Sequence, residues 1–150
     1  MVSGINFAGE YQLDELLVHT SSGNILNLTK AVQSIDIYED MFSTALSGSI
    51  TILDIDNIVE NGPIIGQEYM TLKITTPTLD KQGINFTNSS FAIYNVSVRE
   101  AINENTQLLA LSFTSPELLR DKRVRVSKSY TDSIDRIVES VLTDARYINT

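Results

Sequence analysis

The segment ALSGSITILDI, residues 45–55, alternates apolar and polar side chains along most of its length. Successive side chains of a strand point to opposite faces, so Leu46, Ile50 and Ile52 would share one face and hydroxyl-bearing residues the other. Gly48 interrupts the pattern, which indicates either a β-bulge or the close approach of another part of the chain. The segment therefore predicts a half-buried strand of an antiparallel sheet.

Comparable runs occur on both sides of this strand throughout the first 115 residues. The other strand candidates are residues 11–20, 24–29, 31–40, 68–75, 90–100 and 106–114. The turn SSG joins the first two candidates and the turn AINEN joins the last two, so the latter pair predicts a hairpin. Between the strands, residues 56–63 and 77–88 are typical of turns, and the first of these has room for one helical turn. We expect residues 1–115 to form an antiparallel β-barrel or sandwich of six or seven strands.

The pattern changes where Pro116 opens the segment PELLRDK. Proline at the first helical position followed by an acidic residue predicts a short helix. Residues 124–127, VRVS, are then a candidate for a short strand. We assign residues 116–150 to a connector and a helix that begins the next domain.

Residues 129–145, SYTDSIDRIVESVLTDA, predict an amphipathic helix. Their apolar side chains follow the helical spacing of three and four and comprise Ile134, Ile137, Val138, Val141 and Leu142. Ser129 and Asp132 resemble a capping box at its start, and Asp132 and Asp135 favour the positive end of the helix dipole. The expected fold class is thus mainly β, with this helix closing the domain.

Charge is distributed unevenly along a chain whose formal net charge is −8. Residues 1–98 carry eleven acidic and three basic side chains, whereas residues 99–150 carry eight of each. Five of the basic side chains fall within nine residues and are Arg120, Lys122, Arg123, Arg125 and Lys128. We call residues 120–128 the basic segment. Three interpretations are open: a solvated face, a seam of ion pairs between domains or subunits, and a nucleic-acid contact.

The interpretation as a seam is the prediction for these five residues. Nucleic-acid modules that bind single strands interleave basic residues with aromatic ones, and Tyr130 is the one aromatic residue near the basic segment. An acidic neighbour, in the same chain or in another subunit, would complement the cluster. We therefore expect the basic segment to be a subunit or domain interface.

Residues able to perform catalysis or to bind a metal are sparse. The chain has no cysteine, and its single histidine, His19, lies in an apolar-flanked strand candidate, where a structural or surface role is the simplest interpretation. The motif DIDN, residues 54–57, begins like a calcium loop, but Ile58 and Val59 occupy positions that require an acidic or amide residue and a glycine. We predict a protein that is not an enzyme and has no cofactor or metal. A hydrolase would require His19 in a cleft beside a serine and an acid.

No apolar run approaches the length of a membrane span, and residues 1–12 show no secretory signal pattern. We expect no insertion into a membrane.

Three stretches taken in order resemble the N-terminal part of the baseplate hub subunit of contractile-tailed (myovirus) bacteriophages. They are LSGSITILDIDNIVENGPIIGQEYMTLKITTP, FAIYNVSVRE and LLALSFTSPELLRDKRVRVSKSYTDSIDRIVESVL. The likeness covers residues 30–143 and is greatest to hubs of the marine and cyanobacterial branch. In those hubs F-T-S-x-E leads into R-V-S-K-S-Y and an amphipathic helix.

The resemblance implies a structural virion protein with a tail-tube-like β-domain. Hubs of this family are homotrimers in which each subunit carries two such domains, so that three subunits form a pseudo-hexameric ring between the sixfold tail tube and the threefold spike. The implied partners are further copies of the chain, the central spike protein, tail-tube proteins and baseplate wedge proteins. The implied location is the tail baseplate of the virion, assembled in the host cytoplasm. DNA would only pass through the channel, where an acidic wall would not retain it.

This chain departs from the family in length, because family hubs continue with a second tube domain. We expect it to be an N-terminal fragment or a reduced relative with its own mode of assembly. The alternative within the same class is a tail-tube or tube-initiator protein that forms a true hexameric ring. The alternative from another class is a monomeric β-module that binds a small ligand or carbohydrate in a cleft with exposed aromatic residues.

Overall fold

A computed structural model describes most of the chain. It covers residues 11–43, 45–55, 62, 64–76, 83–103, 106–144 and 146–147, except for the side chains of residues 98 and 99. The turn predicted at residues 56–63 lies almost entirely outside the described residues.

The described chain contains seven strands and two helices. The strands are β1 (Gln12–His19), β2 (Ile25–Asn27), β3 (Val32–Tyr38), β4 (Ser47–Asp54), β5 (Tyr69–Thr75), β6 (Gly83–Asn103) and β7 (Thr106–Thr114). The helices are α1 (Pro116–Asp121) and α2 (Ile134–Thr143). The predicted fold class, mainly β with a C-terminal helix, is confirmed.

All seven strands form one antiparallel sheet in the order β2-β1-β5-β6-β7-β4-β3. The two outermost strands, β2 and β3, are consecutive in sequence and are joined by residues 28–31 alone. Within this link the Leu28 N–H donates to the Leu16 carbonyl of β1 at 2.9 Å, and the Ala31 carbonyl accepts from the Leu53 N–H of β4 at 2.8 Å. This short link is hydrogen-bonded to β1 and to β4, the strands next to the two edges of the sheet. The two edges therefore lie close together, and the sheet curls into an open barrel. It is not closed, since β2 and β3 form no ladder with each other among the described strands.

One face of the curled sheet carries the hydrophobic core. Its fully buried residues come from five strands and two loops and are Leu16, Val18, Leu28, Ile50, Ile52, Ile64, Met70, Leu72, Phe91, Ile93, Leu109, Leu111 and Phe113. The alternation in the segment 45–55 is confirmed for its apolar face, because Ile50 and Ile52 are buried. On the opposite face Ser47 and Ser49 are half-buried as expected, but Thr51 is buried as well.

Gly48 marks a close approach within this core, which is one of the two outcomes that the sequence predicted. It lies opposite Phe113 in the β4–β7 ladder, and a Cβ at this position would collide with the Phe113 ring and with the Asp36 carbonyl oxygen. The ring centroid of Phe113 lies 4.9 Å from that of Phe91, which in turn lies 4.7 Å from that of Phe86. The missing side chain at Gly48 therefore makes room for an aromatic cluster that links β4, β6 and β7.

The predicted turn at residues 77–88 is partly wrong, because β6 begins at Gly83. Phe86 pairs with Leu72, and Phe91 pairs with Met70. Between these two pairs β5 has a single residue, Thr71, whereas β6 has the four residues 87–90. Residues 87–90 therefore form an extended bulge. Pairing of residues 83–86 with β5 and partial burial of Phe86 place this part of the predicted turn in the sheet despite its turn-like composition.

The second helix forms, but it begins later than predicted. The predicted start was Ser129, whereas the helix starts at Ile134 with Ser133 as its N-cap and with Asp135 in the first turn. The Asp132 carboxylate accepts a hydrogen bond from the Ser133 N–H at 2.9 Å, which favours a turn at this point rather than an earlier cap. No residue of α2 is buried. Its apolar stripe therefore remains open.

Candidate assembly surface

The structure places the five predicted interface residues along one continuous stretch after the β-domain. Arg120 lies in the last turn of α1, and Lys122 is the C-cap of that helix. Arg123, Arg125 and Lys128 follow in a segment without helix or strand, and all five residues are exposed. The basic segment is therefore a cationic stretch at the surface.

The strand predicted at residues 124–127 is wrong. Nothing in the described sheet pairs with this segment, and a strand requires a partner ladder. Local bonds hold its start instead, because the Arg123 N–H donates to the Arg120 carbonyl at 2.9 Å. The two arginines thus do not share the face of a strand; they are presented by an irregular segment.

Within the described part of the chain, no carboxylate forms an ion pair with Lys122, Arg123 or Arg125. For these three residues, the predicted seam is therefore not formed with an acidic group of the described chain. Whether another subunit supplies the acids stays a prediction. Exposed isolated charges contribute little to the stability of the monomer, so these cations are available for a partner.

A groove lies between α1 and the neighbouring strands β5 and β6. Its volume is about 580 Å³, and its walls include Tyr69, Tyr94, Leu119 and Arg123. Tyr69 and Tyr94 expose 51% and 53% of their surface. We call this feature the α1 groove: an aromatic floor on the sheet with a basic rim on the helix side. A second cavity of about 540 Å³ lies next to it and includes Phe86, Phe91 and Pro116.

Glu68 holds the loop that forms one wall of the α1 groove. Its side chain is 1% exposed, and its carboxylate accepts hydrogen bonds from the backbone N–H groups of Ile65 at 2.8 Å, Gly66 at 2.8 Å and Gln67 at 3.0 Å. Gly66 has a φ of +87°, which only glycine adopts without strain. Three convergent N–H donors form a nest for this carboxylate, which fixes the loop beside the groove.

A small cluster of charged and aromatic residues lies at the C-terminal end of α2. The Arg146 guanidinium donates to both oxygens of the Asp144 carboxylate, at 3.1 and 2.7 Å, and this bonding lowers the pKa of Asp144 to about 2. Lys128 also lowers the pKa of Asp144 by its charge, and it lies 5.3 Å above the ring of Tyr130.

The structure places His19, the candidate base of a hydrolase, in the part of the sheet formed by β1, β2 and β5. This residue ends β1, where it pairs with Ile25 and Tyr69, and among the described residues no hydrogen bond joins its imidazole to a serine or a carboxylate. In the described ranges, no group of three or more histidine or acidic residues is placed so that it could hold a metal. No helix of the described chain is both long and apolar enough to cross a membrane.

The α1 groove and the nest around Glu68 were not predicted from the sequence. Tyr69 and Tyr94 lie on different strands, so their proximity depends on the pairing of β5 with β6. A signal for the nest was present in the segment IIGQE, residues 64–68, where a glycine precedes an acid by two residues. The burial of the Glu68 side chain could not be predicted from the sequence.

The chain matches no family model and no curated protein.

Proposed function

We propose that this chain is a structural virion protein, a component of the baseplate central hub that builds the ring between tail tube and spike in a contractile-tailed phage. The observation that carries the proposal is the exposed basic segment, whose cations Lys122, Arg123 and Arg125 have no acidic partner in the described chain. Complementary charge in a neighbouring subunit would steer and orient association.

The edge of the sheet supports the same proposal. Strand β3 has seven residues and pairs with β4 on one side, and no described strand occupies its other side. An exposed strand edge presents unpaired backbone groups that pair readily with another chain unless they are covered. In a ring, neighbouring subunits or domains cover such edges.

The distribution of charge supports a wall along which DNA passes. Residues 1–98 carry a net charge of −8. They contain strands β1 to β5 and most of β6. Because binding of DNA depends on neutralising its phosphates with basic residues, an acidic surface does not retain it. The basic segment lies after the sheet and serves contacts between proteins.

Reversal of two charges tests the interface. We expect Arg123→Glu with Arg125→Glu to weaken self-association at least about tenfold, because like charges then face each other across the seam. The fold should persist, since both side chains are exposed. The measurement is sedimentation velocity over a concentration series, with circular dichroism to follow the fold.

The matched control reverses two exposed charges elsewhere, Lys30→Glu with Arg136→Glu, and produces the same net charge. It should assemble like the parent. Equal assembly by the Arg123 and Arg125 double variant would show that the basic segment is only solvated.

The α1 groove favours one other candidate function, a monomeric β-module that binds a small ligand or carbohydrate. Such modules stack sugar rings on exposed aromatic residues, and Tyr69 and Tyr94 lie in the groove at about half exposure. Titration with an oligosaccharide panel distinguishes the two functions. Saturable binding by a monomer, lost in Tyr94→Ala, would favour the module.

A further inference from the structure

Helix α2 exposes an apolar stripe that the described chain does not bury. Ile134 is 81% exposed and Val138 is 50% exposed, and no residue of the helix is buried. Amphipathic helices of this kind gain most of their stability from packing the apolar face against another surface. A ten-residue helix with such a stripe is suited to lie in a groove.

Acidic residues border this stripe along one edge only. Asp135 and Glu139 are four residues apart, so they lie above one another, and they flank the edge of the stripe that Leu142 occupies. Arg136 lies on the opposite side of the helix. The helix therefore presents an apolar face with an acidic border on one side.

The α1 groove has the complementary features. Tyr69, Tyr94 and Leu119 supply apolar surface, and Arg123 supplies a positive charge on one wall. When the stripe faces the tyrosines, the acidic border can lie beside Arg123 on the groove wall. Apolar contact and charge attraction are thus both satisfied in this orientation.

A second copy of the chain is the occupant that the arrangement favours over the chain's own helix. Arg123 lies at the rim of the groove, and the connector leaves from that point. Within the described chain the stripe stays exposed, so the chain's own α1 groove does not bury it. The ten connector residues 124–133 span at most ~35 Å, which is about the width of a domain of this size. An adjacent subunit is within this reach.

We propose that α2 of one copy docks in the α1 groove of a second copy, with its stripe on Tyr69 and Tyr94 and with Asp135 and Glu139 facing Arg123. This proposal rests on the proposed function, because it names how neighbouring subunits hold one another. In this contact, one copy supplies Arg123 and the other copy supplies the acidic residues of α2.

Cross-linking between single-cysteine variants tests the contact directly, because the chain has no cysteine of its own. Val138→Cys protein is mixed with a size-tagged Tyr94→Cys protein and treated with a short bismaleimide. We expect a mixed covalent dimer in several-fold excess over the control mixture of Arg136→Cys with Tyr94→Cys. The control thiol lies on the face of α2 that points away from the stripe.

A second variant provides an independent measurement. Val138→Asp should weaken self-association about tenfold or more, because a carboxylate then replaces an apolar contact, whereas Arg136→Asp should leave it unchanged. Since no residue of α2 is buried, neither change disturbs the core.

The possible failures are distinguishable. Oligomers that form without an excess of the mixed cross-link overturn the docking of α2 and leave the proposed function standing. A further variant carries Val138→Cys and Tyr94→Cys in the same chain. If the cross-link forms only within single chains of this variant, the docking of α2 in a second copy is overturned. A chain that remains monomeric overturns both proposals.

Discussion

Replacement of Phe113 with alanine is expected to lower the free energy of unfolding by about 3–5 kcal/mol. Phe113 is fully buried, its ring packs at a tilted angle with its centroid 4.9 Å from that of Phe91, and it fills the space left by Gly48. Removal of the ring leaves a cavity where β4, β6 and β7 meet, and the backbone of a sheet cannot collapse far enough to fill it. Urea unfolding followed by circular dichroism measures the loss.

Phe42→Ala is the matched control, because the Phe42 side chain is 88% exposed. Its expected effect is within about 0.5 kcal/mol. A loss of less than about 1 kcal/mol for Phe113→Ala would contradict the packing described for this end of the core.

Replacement of Glu68 with alanine is expected to lower the free energy of unfolding by about 2–3 kcal/mol. Three backbone N–H groups, those of Ile65, Gly66 and Gln67, lose their acceptor at once. The loss is smaller than the sum of three charged hydrogen bonds, because the loop is partly exposed and water replaces some of them. The variant should also loosen the wall of the α1 groove.

Glu68→Gln separates the two effects of the carboxylate. It keeps one acceptor oxygen, so we expect an intermediate loss of stability, whereas Glu39→Ala at an exposed site should have almost no effect. Amide exchange of the Gly66 and Gln67 N–H groups, followed by NMR, reports on the loop itself. Unchanged protection of these two amides in Glu68→Ala would contradict the nest.

The strands were predictable where apolar residues recur at every second position. In β4 and β5 the alternation places Ile50, Ile52, Met70 and Leu72 in the core. The stripe of α2 was predictable for the same reason, with a period of 3.6. Burial of Thr51 and Thr71 on the other face of β4 and β5 was not predictable from the alternation. Such patterns report burial on one side of an element without any knowledge of its partner.

Features that depend on distant pairing were not predictable. Residues 83–86 form a strand because β5 pairs with them, although their composition is that of a turn. Residues 124–127 alternate like a strand yet lack a partner, so they form none. The α1 groove and the buried state of Glu68 arise only once β5, β6 and α1 are assembled.

The molar mass of the full chain by light scattering over a concentration series, with negative-stain images of each species, tests the central claim most directly. The proposed hub function predicts trimers or hexamers that appear as rings with a central hole. Trimers would favour the hub, and hexamers would favour the tail-tube or tube-initiator alternative. A strict monomer at the highest concentration that the protein tolerates would contradict the claim that this chain builds a ring.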